Sequence, residues 1–467
     1  MAFAFMQRRV AIVWVLSLLT ILLFFVFLHR DAAISKAASW GFPGMADTDE
    51  SLASTSDPSP ASTSDPSPLP PLFSTWTDDV RRVAILETGG THDEVTAALV
   101  HAFGGVDKVE LTMMLKRQRY KMEDIMAAFD LVSPVSKVAS SDDFPGLVGH
   151  TDRPQAHVLV STTCLLDTSV HPAAFRRILD RTDTHLICLV HHADRWEEGE
   201  SIDLIRDFAA QGRADFLGLS PHTVQYLRDV TLKKWGTQAD AVTTRVLPPV
   251  FPVASLPEPH GSALGAGGIN LALQGDYSSG RRDYVHTFEQ LAGLMDELAG
   301  KKSDGVDQTE TDEKGQERGD TVTLHLIGHG NKPDVPDNLT GNVVFDEDLS
   351  YPDFYRVLSE AFAVLPAFAS DEYLDRKASS TVPAALIAGA PMVATQAILD
   401  AYSYLPRDAV WLSEPDEDEM DTIRRFIGDE AAYLERATKM REGRARILEE
   451  NRVHVGEWID EILAKKP

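Results

Sequence analysis

The sequence predicts an α/β protein with two parallel-sheet units behind a membrane helix and a disordered stem. Three observations predict it: an uncharged apolar run of 19 residues near the N-terminus, a Ser/Pro-rich stretch after it, and strand-like runs alternating with helix-like ones from about residue 80. With 467 residues, 43% of them hydrophobic, the chain can bury more than one core, since single cores seldom grow past roughly 250 residues. The 71 Asp+Glu against 44 Lys+Arg give a formal net charge of −27. Such a field repels nucleic-acid backbones, so no nucleic-acid partner is expected. An anionic nucleotide would bind only where local Arg, Lys or helix N-termini overcome that field.

The first element is the run from Val10 to Leu28, whose 19 residues approach a ~30 Å hydrocarbon core at the helical rise. It reads as a transmembrane signal anchor, with residues 1–9 as a cytoplasmic tail. Arg8 and Arg9 before it, against Arg30 and Lys36 after it, lean toward a cytoplasmic N-terminus and a type II topology. The alternative is a cleaved secretory signal, whose apolar region normally runs about 7–15 residues into a small-residue cleavage site. So short a span suits an early-secretory, Golgi or ER membrane. Residues 29–79 are rich in Ser, Thr, Pro, Ala and Asp, and ASTSDPSP at 53–60 repeats at 61–68. That composition cannot build a core, and it reads as a disordered stem.

From residue 80 the alternation sets in. RRVAILET (81–88) is a strand, GGTHDE (89–94) a turn, and EVTAALVHAF a helix with Val95, Leu99 and Phe103 near one face. AHVLVSTT (156–163) and THLICLVHH (184–192) are almost continuously apolar, as strands covered by helices on both faces should be. ADFLGLS (214–220) adds a strand, followed by Ser220 and Pro221 as a helix start. Cys164 and Cys188 both fall in runs read as strands. Two cysteines exclude a disulfide framework and leave either buried thiols or one bridge in an oxidising lumen.

RVLPPVFPV (245–253) and GSALGAGG (261–268) break the pattern and mark a hinge. The first Rossmann-like domain is thus placed at 80–255, the hinge at 256–268 and a second Rossmann-like domain at 269–430. In the second, INLALQG (269–275) is a strand, RRDYVHTFEQLAGLMDELAG a helix, and 301–320 a charged surface insertion. TVTLHLIG (321–328), GNVVF (341–345), FAVLPAF (362–368) and PMVAT (391–395) are further strands, with helices at PDFYRVLSEA and at 381–388. Residues 431–467 read as C-terminal helices able to pack back across the hinge.

A series of motifs in the second half resembles the donor-binding half of the GT-B glycosyltransferase superfamily, in its retaining, sugar-nucleotide-using branch. LHLIGHG (324–330) is similar to that branch's apolar strand ending in a Gly-x-Gly turn. NVVFDEDLSYPDFYRVLSEAFAVLPAF (342–368) is similar to the segment leading to its next donor-site loop. KASSTVPAALIAGAPMVAT (377–395) resembles the loop, helix and strand entry that hold the donor diphosphate. The branch commonly has glutamates where this chain has Arg376 and Ala384, with Glu372 nearby but out of register.

The resemblance implies a fungal-type Golgi glycosyltransferase that moves sugar from a nucleotide-sugar to a carbohydrate or glycoconjugate acceptor, without a metal or other cofactor. Arg281 and Lys377 would act on the leaving diphosphate. Gly275, Arg282, Gly328, Gly330, Ser379, Ser380 and Thr381 would complete the donor site, because strand C-terminal ends and helix N-termini are where α/β sheets hold phosphates. On the acceptor side, Gly89, Gly90 and Thr91 form a turn that permits close backbone approach. His92 is a candidate catalytic group, a general base under inversion or a hydrogen-bonding group under retention, and His191 and His192 close another strand. The plainer reading makes these residues turn formers, caps and strand ends.

Two rival functions stay open. One is a non-catalytic lumenal protein that keeps the fold to bind carbohydrate or a partner. The other is a metal-dependent transferase using Asp346 and Asp348 of the Asp-Glu-Asp run. Asn338 opens the sequence's N-glycosylation sequon, Asn338-Leu339-Thr340, which has meaning if the head is lumenal.

Overall fold

The computed structural model describes residues 80–116, 122–131, 133–149, 156–254, 256–259, 268–304 and 322–465. The predicted tail, anchor and stem lie outside the described residues, as do most of the hinge and of the charged insertion. Among the described residues no helix is long and apolar enough to cross a membrane.

The N-terminal half runs β1 (Arg81–Glu87), α1 (Asp93–Gly104), β2 (Val109–Leu115), α2 (Met122–Ala128), β3 (Val135–Ser140), α3 (Phe144–Gly149), β4 (Val158–Ser161), α4 (Cys164–Val170), α5 (Pro172–Arg181), β5 (His185–Val190), α6 (Glu200–Ala210), β6 (Ala214–Gly218), α7 (Pro221–Tyr226) and β7 (Thr243–Val246). Its strands form a parallel sheet in the order β3-β2-β1-β4-β5-β6-β7. Helices cover both faces, so central strands are buried throughout. In β1, Val83 and Ile85 feed one core while Ala84 and Leu86 feed the other. Alternate side chains of a strand point to opposite faces, and both faces here are apolar.

The C-terminal half continues with β8 (Ile269–Gln274), α8 (Tyr284–Asp304), β9 (Val322–Gly328), β10 (Val343–Glu347), α9 (Tyr351–Ser359), β11 (Ala363–Val364), α10 (Glu372–Asp375), α11 (Thr381–Ala388), β12 (Val393–Ala394), α12 (Gln396–Ala401), β13 (Trp411–Leu412), α13 (Glu419–Phe426) and α14 (Glu430–Ala464). Its four-stranded sheet has the order β10-β9-β8-β11, and a parallel bridge from Val364 to Met392 carries it on to the β12-β13 pair. Both halves belong to one structural unit.

Several expectations are corrected. Cys164 opens helix α4 rather than lying in a strand, and it is bonded to Cys188 of β5. β2 and β3 join the first sheet where no strand was expected. The segment expected to begin the break, from residue 245, starts inside β7 and then buries Leu247, Val250 and Phe251 in the core. The first residues of the expected insertion, 301–304, extend α8.

The 35-residue α14 ties the halves together. Its buried residues, including Tyr433, Ala437, Met440, Ile447, Val455 and Ile459, recur at helical spacing and make one apolar stripe. Arg444 donates to Ile387 O in the C-terminal half, while Asn451 donates to Pro248 O at 2.9 Å and Glu461 takes Arg245 at 2.8 Å in the other. One core cluster accordingly contains Ile85 of β1, Tyr355 of α9, Leu386 of α11 and Ile459 of α14.

Candidate functional site

Strand order reverses between β1 and β4 in the first sheet and between β8 and β11 in the second. In open parallel sheets such reversals leave crevices at the strand C-terminal ends, where ligands bind. In the first half, the turn after β1 fills the crevice edge. Gly90 has a φ of +68° and donates its N–H to both carboxylate oxygens of buried Glu87 at 2.8 Å. A Cβ on Gly89 would lie 2.9 Å from Thr163, so the chain passes close to the start of α4 there. Thr91 is exposed, and His92 stacks on His191 with ring centroids 4.0 Å apart. His191 is fixed by Thr162 O, 2.9 Å from its Nε2.

In the second half, a Cβ on Gly328 would lie 2.0 Å from Gly275 O, so the ends of β8 and β9 meet backbone to backbone. Gly275 and Gly330 have φ of +141° and +115°, conformations that glycine supplies. Arg281 is partly exposed and pairs with Asp276 at 2.8 Å, and Asp276 also takes His329 at 3.1 Å. Its neighbour Arg282 behaves differently. That side chain is 3% exposed, and its guanidinium donates to Gln274 O at 2.9 Å, to Arg281 O at 3.2 Å and to the Thr381 hydroxyl, with Phe368 and Tyr373 rings beside it. Arg282 is therefore an internal strut, and the diphosphate contact expected of it is not available to its buried guanidinium. Thr381 is fully buried and bonded to Gln274 and Arg282, and the Ser379 hydroxyl accepts Thr381 N–H at 3.2 Å. Ser380, by contrast, is exposed at the N-cap of α11.

The two halves meet through the loop before α11. His192 and Lys377 form an antiparallel bridge, Ala193 N–H donates to Arg376 O at 2.9 Å, and Ala378 N–H reaches His191 O at 3.4 Å. His92, His191, His192, Arg281 and Lys377 thus share one crevice, and Lys377 holds its ammonium 4.7 Å over the Tyr373 ring. Electrostatics follow from this crowding. Burial first, then His191, His192 and Arg281, hold the His92 pKa well below the usual histidine value. Burial likewise lowers His191 to about 4, and His192 further, with Arg195, Lys377, His191 and Arg281 adding to it. All three rings are neutral near pH 7.

Sequence reasoning missed the partners of the first turn of α1. Tyr351 and Tyr355 of α9 donate to Asp93 at 3.0 Å and Glu94 at 2.7 Å, in the first turn of α1. Burial raises both acids, Asp93 to about 7. His222 was also missed, because an isolated histidine after a helix start has no periodic signature. Glu372 and Arg376 bind each other at 2.8 Å, and Arg376 also takes Asp375 and Asp194. Asp346 accepts from His325 at 2.7 Å and Glu347 pairs with Lys332. Among the described residues no three His, Cys, Asp or Glu side chains group as metal ligands. Asn338 lies exposed on a short 3-10 turn, Asp337–Leu339, between the Gly330 turn and β10.

No family model and no curated sequence matches the chain. Solved structures do match it. Sucrose-phosphate synthase from Thermosynechococcus elongatus superposes with a TM-score of 0.53 at 13% identity, over 83% of this chain and 100% of that one. Anabaena HepE in complex with UDP-glucose gives 0.51 at 13% identity, over 82% and 100%. HepE with UDP and glucose gives 0.51 at 12%, over 83% and 100%. The chain has the GT-B fold. In this chain the crevice between the two sheets holds His92, His191 and His192 from one half and Arg281 and Lys377 from the other.

Proposed function

We propose that the chain is a nucleotide-sugar-dependent glycosyltransferase that grips the donor diphosphate between Arg281, Lys377 and the N-terminus of α11. The observation that carries this reading is the bridge between His192 and Lys377, which sets a cationic loop and a helix start of one half against the glycine turn and histidines of the other. Breaking the bond to a nucleoside diphosphate builds negative charge on the leaving phosphates, and preorganised cations and N–H groups stabilise it. Ser380 at the mouth of α11 supplies a hydroxyl there, while Gly275, Gly328 and Gly330 let backbone approach the donor.

His92 suits hydrogen bonding better than proton abstraction. Its cation is disfavoured by burial and by Arg281, so the neutral ring offers one donor and one acceptor to a sugar hydroxyl. The acceptor, a glycan, protein or lipid carrying carbohydrate, would enter from the side of Gly89, Gly90, Thr91 and His191. Charge neutralisation by Arg281 and Lys377 supports a metal-independent reaction, since Asp346 and Glu347 already face His325 and Lys332. A Golgi or ER lumen as the setting is supported by the Cys164–Cys188 bond, which fits an oxidising compartment, and by exposed Asn338. Asn338→Gln should then remove a glycan-sized mass from the secreted or membrane-bound protein.

The test is calorimetry of the full-length protein against UDP-, GDP- and CMP-linked sugars. UDP-glucose comes first, because a structurally similar protein, HepE, holds it. Arg281→Ala and Lys377→Ala should each weaken the selected donor by roughly 10–100-fold, the loss of one hydrogen bond to a charged group. Unchanged affinity in both variants would remove the donor site. A second reading, a carbohydrate-binding protein without transfer activity, is favoured by Ala384 and by Arg376, whose guanidinium is held by three carboxylates. Donor binding with neither hydrolysis nor transfer would support it.

A further inference from the structure

α7 belongs to the N-terminal half, yet both ring nitrogens of its His222 face the C-terminal half. Nδ1 lies 2.8 Å from Ala401 O and Nε2 3.1 Å from Lys377 O. Ala401 is the last residue of α12, so its carbonyl is one of those a helix end leaves without an intrahelical partner. Lys377 O sits in the middle of the loop between α10 and α11. The ring is 8% exposed and meets Tyr402 edge to face at 4.7 Å. Tyr402 grips the same loop from its own half: its hydroxyl donates to Tyr373 O at 2.8 Å and accepts Ser379 N–H at 3.0 Å.

The loop is thus held at Tyr373 and Ser379 from one side and at Lys377 from the other. Its pairing with 191–193 adds one good hydrogen bond, Ala193 to Arg376, and one long one from Ala378. Carbonyl oxygens only accept, so each contact takes an N–H from the ring, and a neutral imidazole has one: carried on Nε2 it serves Lys377 O, and only the protonated ring, which burial disfavours, serves Ala401 O as well. Removing its ring would take a donor from the part-buried Lys377 carbonyl and leave the segment held there by Lys377 N–H to Glu372 O at 2.8 Å and Ala378 N–H to His191 O at 3.4 Å.

We propose that His222 is a positioning residue for Lys377, a prop from the opposite half that fixes the Lys377 peptide and so the point from which its ammonium reaches the crevice. The proposal rests on the reading of Lys377 as a diphosphate ligand. It also implies that the donor loop is tuned by the half that receives the acceptor, because α7 follows β6 of that sheet directly.

The experiment uses the full-length protein, wild type and the variants His222→Ala, His222→Gln, Lys377→Ala and His222→Ala/Lys377→Ala. Amide hydrogen exchange without ligand should be faster across 376–379 in His222→Ala. It should return toward wild type in His222→Gln, whose amide nitrogen keeps donors for the carbonyls. UDP affinity should fall roughly 2–10-fold in His222→Ala, the range of one buried hydrogen bond, while uridine affinity stays at the wild-type value. The double variant should bind UDP no more weakly than Lys377→Ala, since the two act through one group. Unchanged exchange, an equal loss for uridine, or additive losses in the double variant would each overturn the inference. Wild-type UDP binding in Lys377→Ala would instead remove Lys377 from the proposed donor site, and this inference with it, whereas wild-type binding in His222→Ala beside a weakened Lys377→Ala would remove this inference alone.

Discussion

Asp93 stands in the first turn of α1, where the helix dipole and the Tyr351 hydroxyl favour a carboxylate, yet burial raises its pKa to about 7. The unfolded chain would release that proton near pH 4. Between those values the native state binds the proton more tightly, so stability is full below the unfolded pKa and declines as pH rises through the folded one. Glu94 and Glu419 shift in the same direction, through burial. Asp93→Asn should therefore raise stability at pH 8, on the order of 1–4 kcal/mol, and leave it nearly unchanged at pH 4. Urea unfolding at the two pH values checks this, and an unaltered pH slope would show that Asp93 is not the group responsible. Arg281 and Arg282 make the same point about position: adjacent arginines in one loop, one reaching a partly open carboxylate and the other buried under Phe368 and Tyr373.

At the scale of elements, the close approach of β8 and β9 is the feature most exposed to substitution. Gly328→Ala would put a Cβ against Gly275 O, a backbone atom that cannot swing aside. A loss of roughly 1–3 kcal/mol, together with weaker donor binding, should follow and is read by thermal unfolding and calorimetry. A fully stable variant would mean that the strand ends can part. The strands read from sequence carry a continuous apolar run, such as β5, apolar from Leu186 to Val190, and even the half-exposed edge strand β10 was read from its Val343, Val344 and Phe345. β2 was passed over because Glu110 and Thr112 interrupt its apolar run, although both are buried in place. β3 lies at the sheet edge, alternates half-buried with exposed residues, and carries no continuous signal. The helix expected at about 381–388 is present as Thr381–Ala388, and Gly389 closes it with a φ of +72°. The loop before it was legible in content, with Lys377 and Ser380 at its mouth, but its crossing to His192 and His222 was not. Nothing in local spacing encodes contacts between residues 155 or more positions apart.

The whole molecule sets two basic side chains, one of them paired with Asp276, in a crevice of a chain of net charge −27. Arg281 and Lys377 are placed there by different elements of one half, and three neutral histidines by two elements of the other. α14 spans both halves, and the shared core beneath it means that the crevice is built by the complete fold rather than by either sheet. Reading each half separately from sequence could find the sheets and the loops. The crevice itself depends on how α14 and the Lys377 loop close one half on the other. The most direct test of this account is hydrogen exchange of the full-length protein with UDP-, GDP- and CMP-linked sugars in turn. The account requires that one of them protect residues 89–93 and 376–381 together, in a single saturable event. Protection confined to one half, or none with any donor, would contradict it.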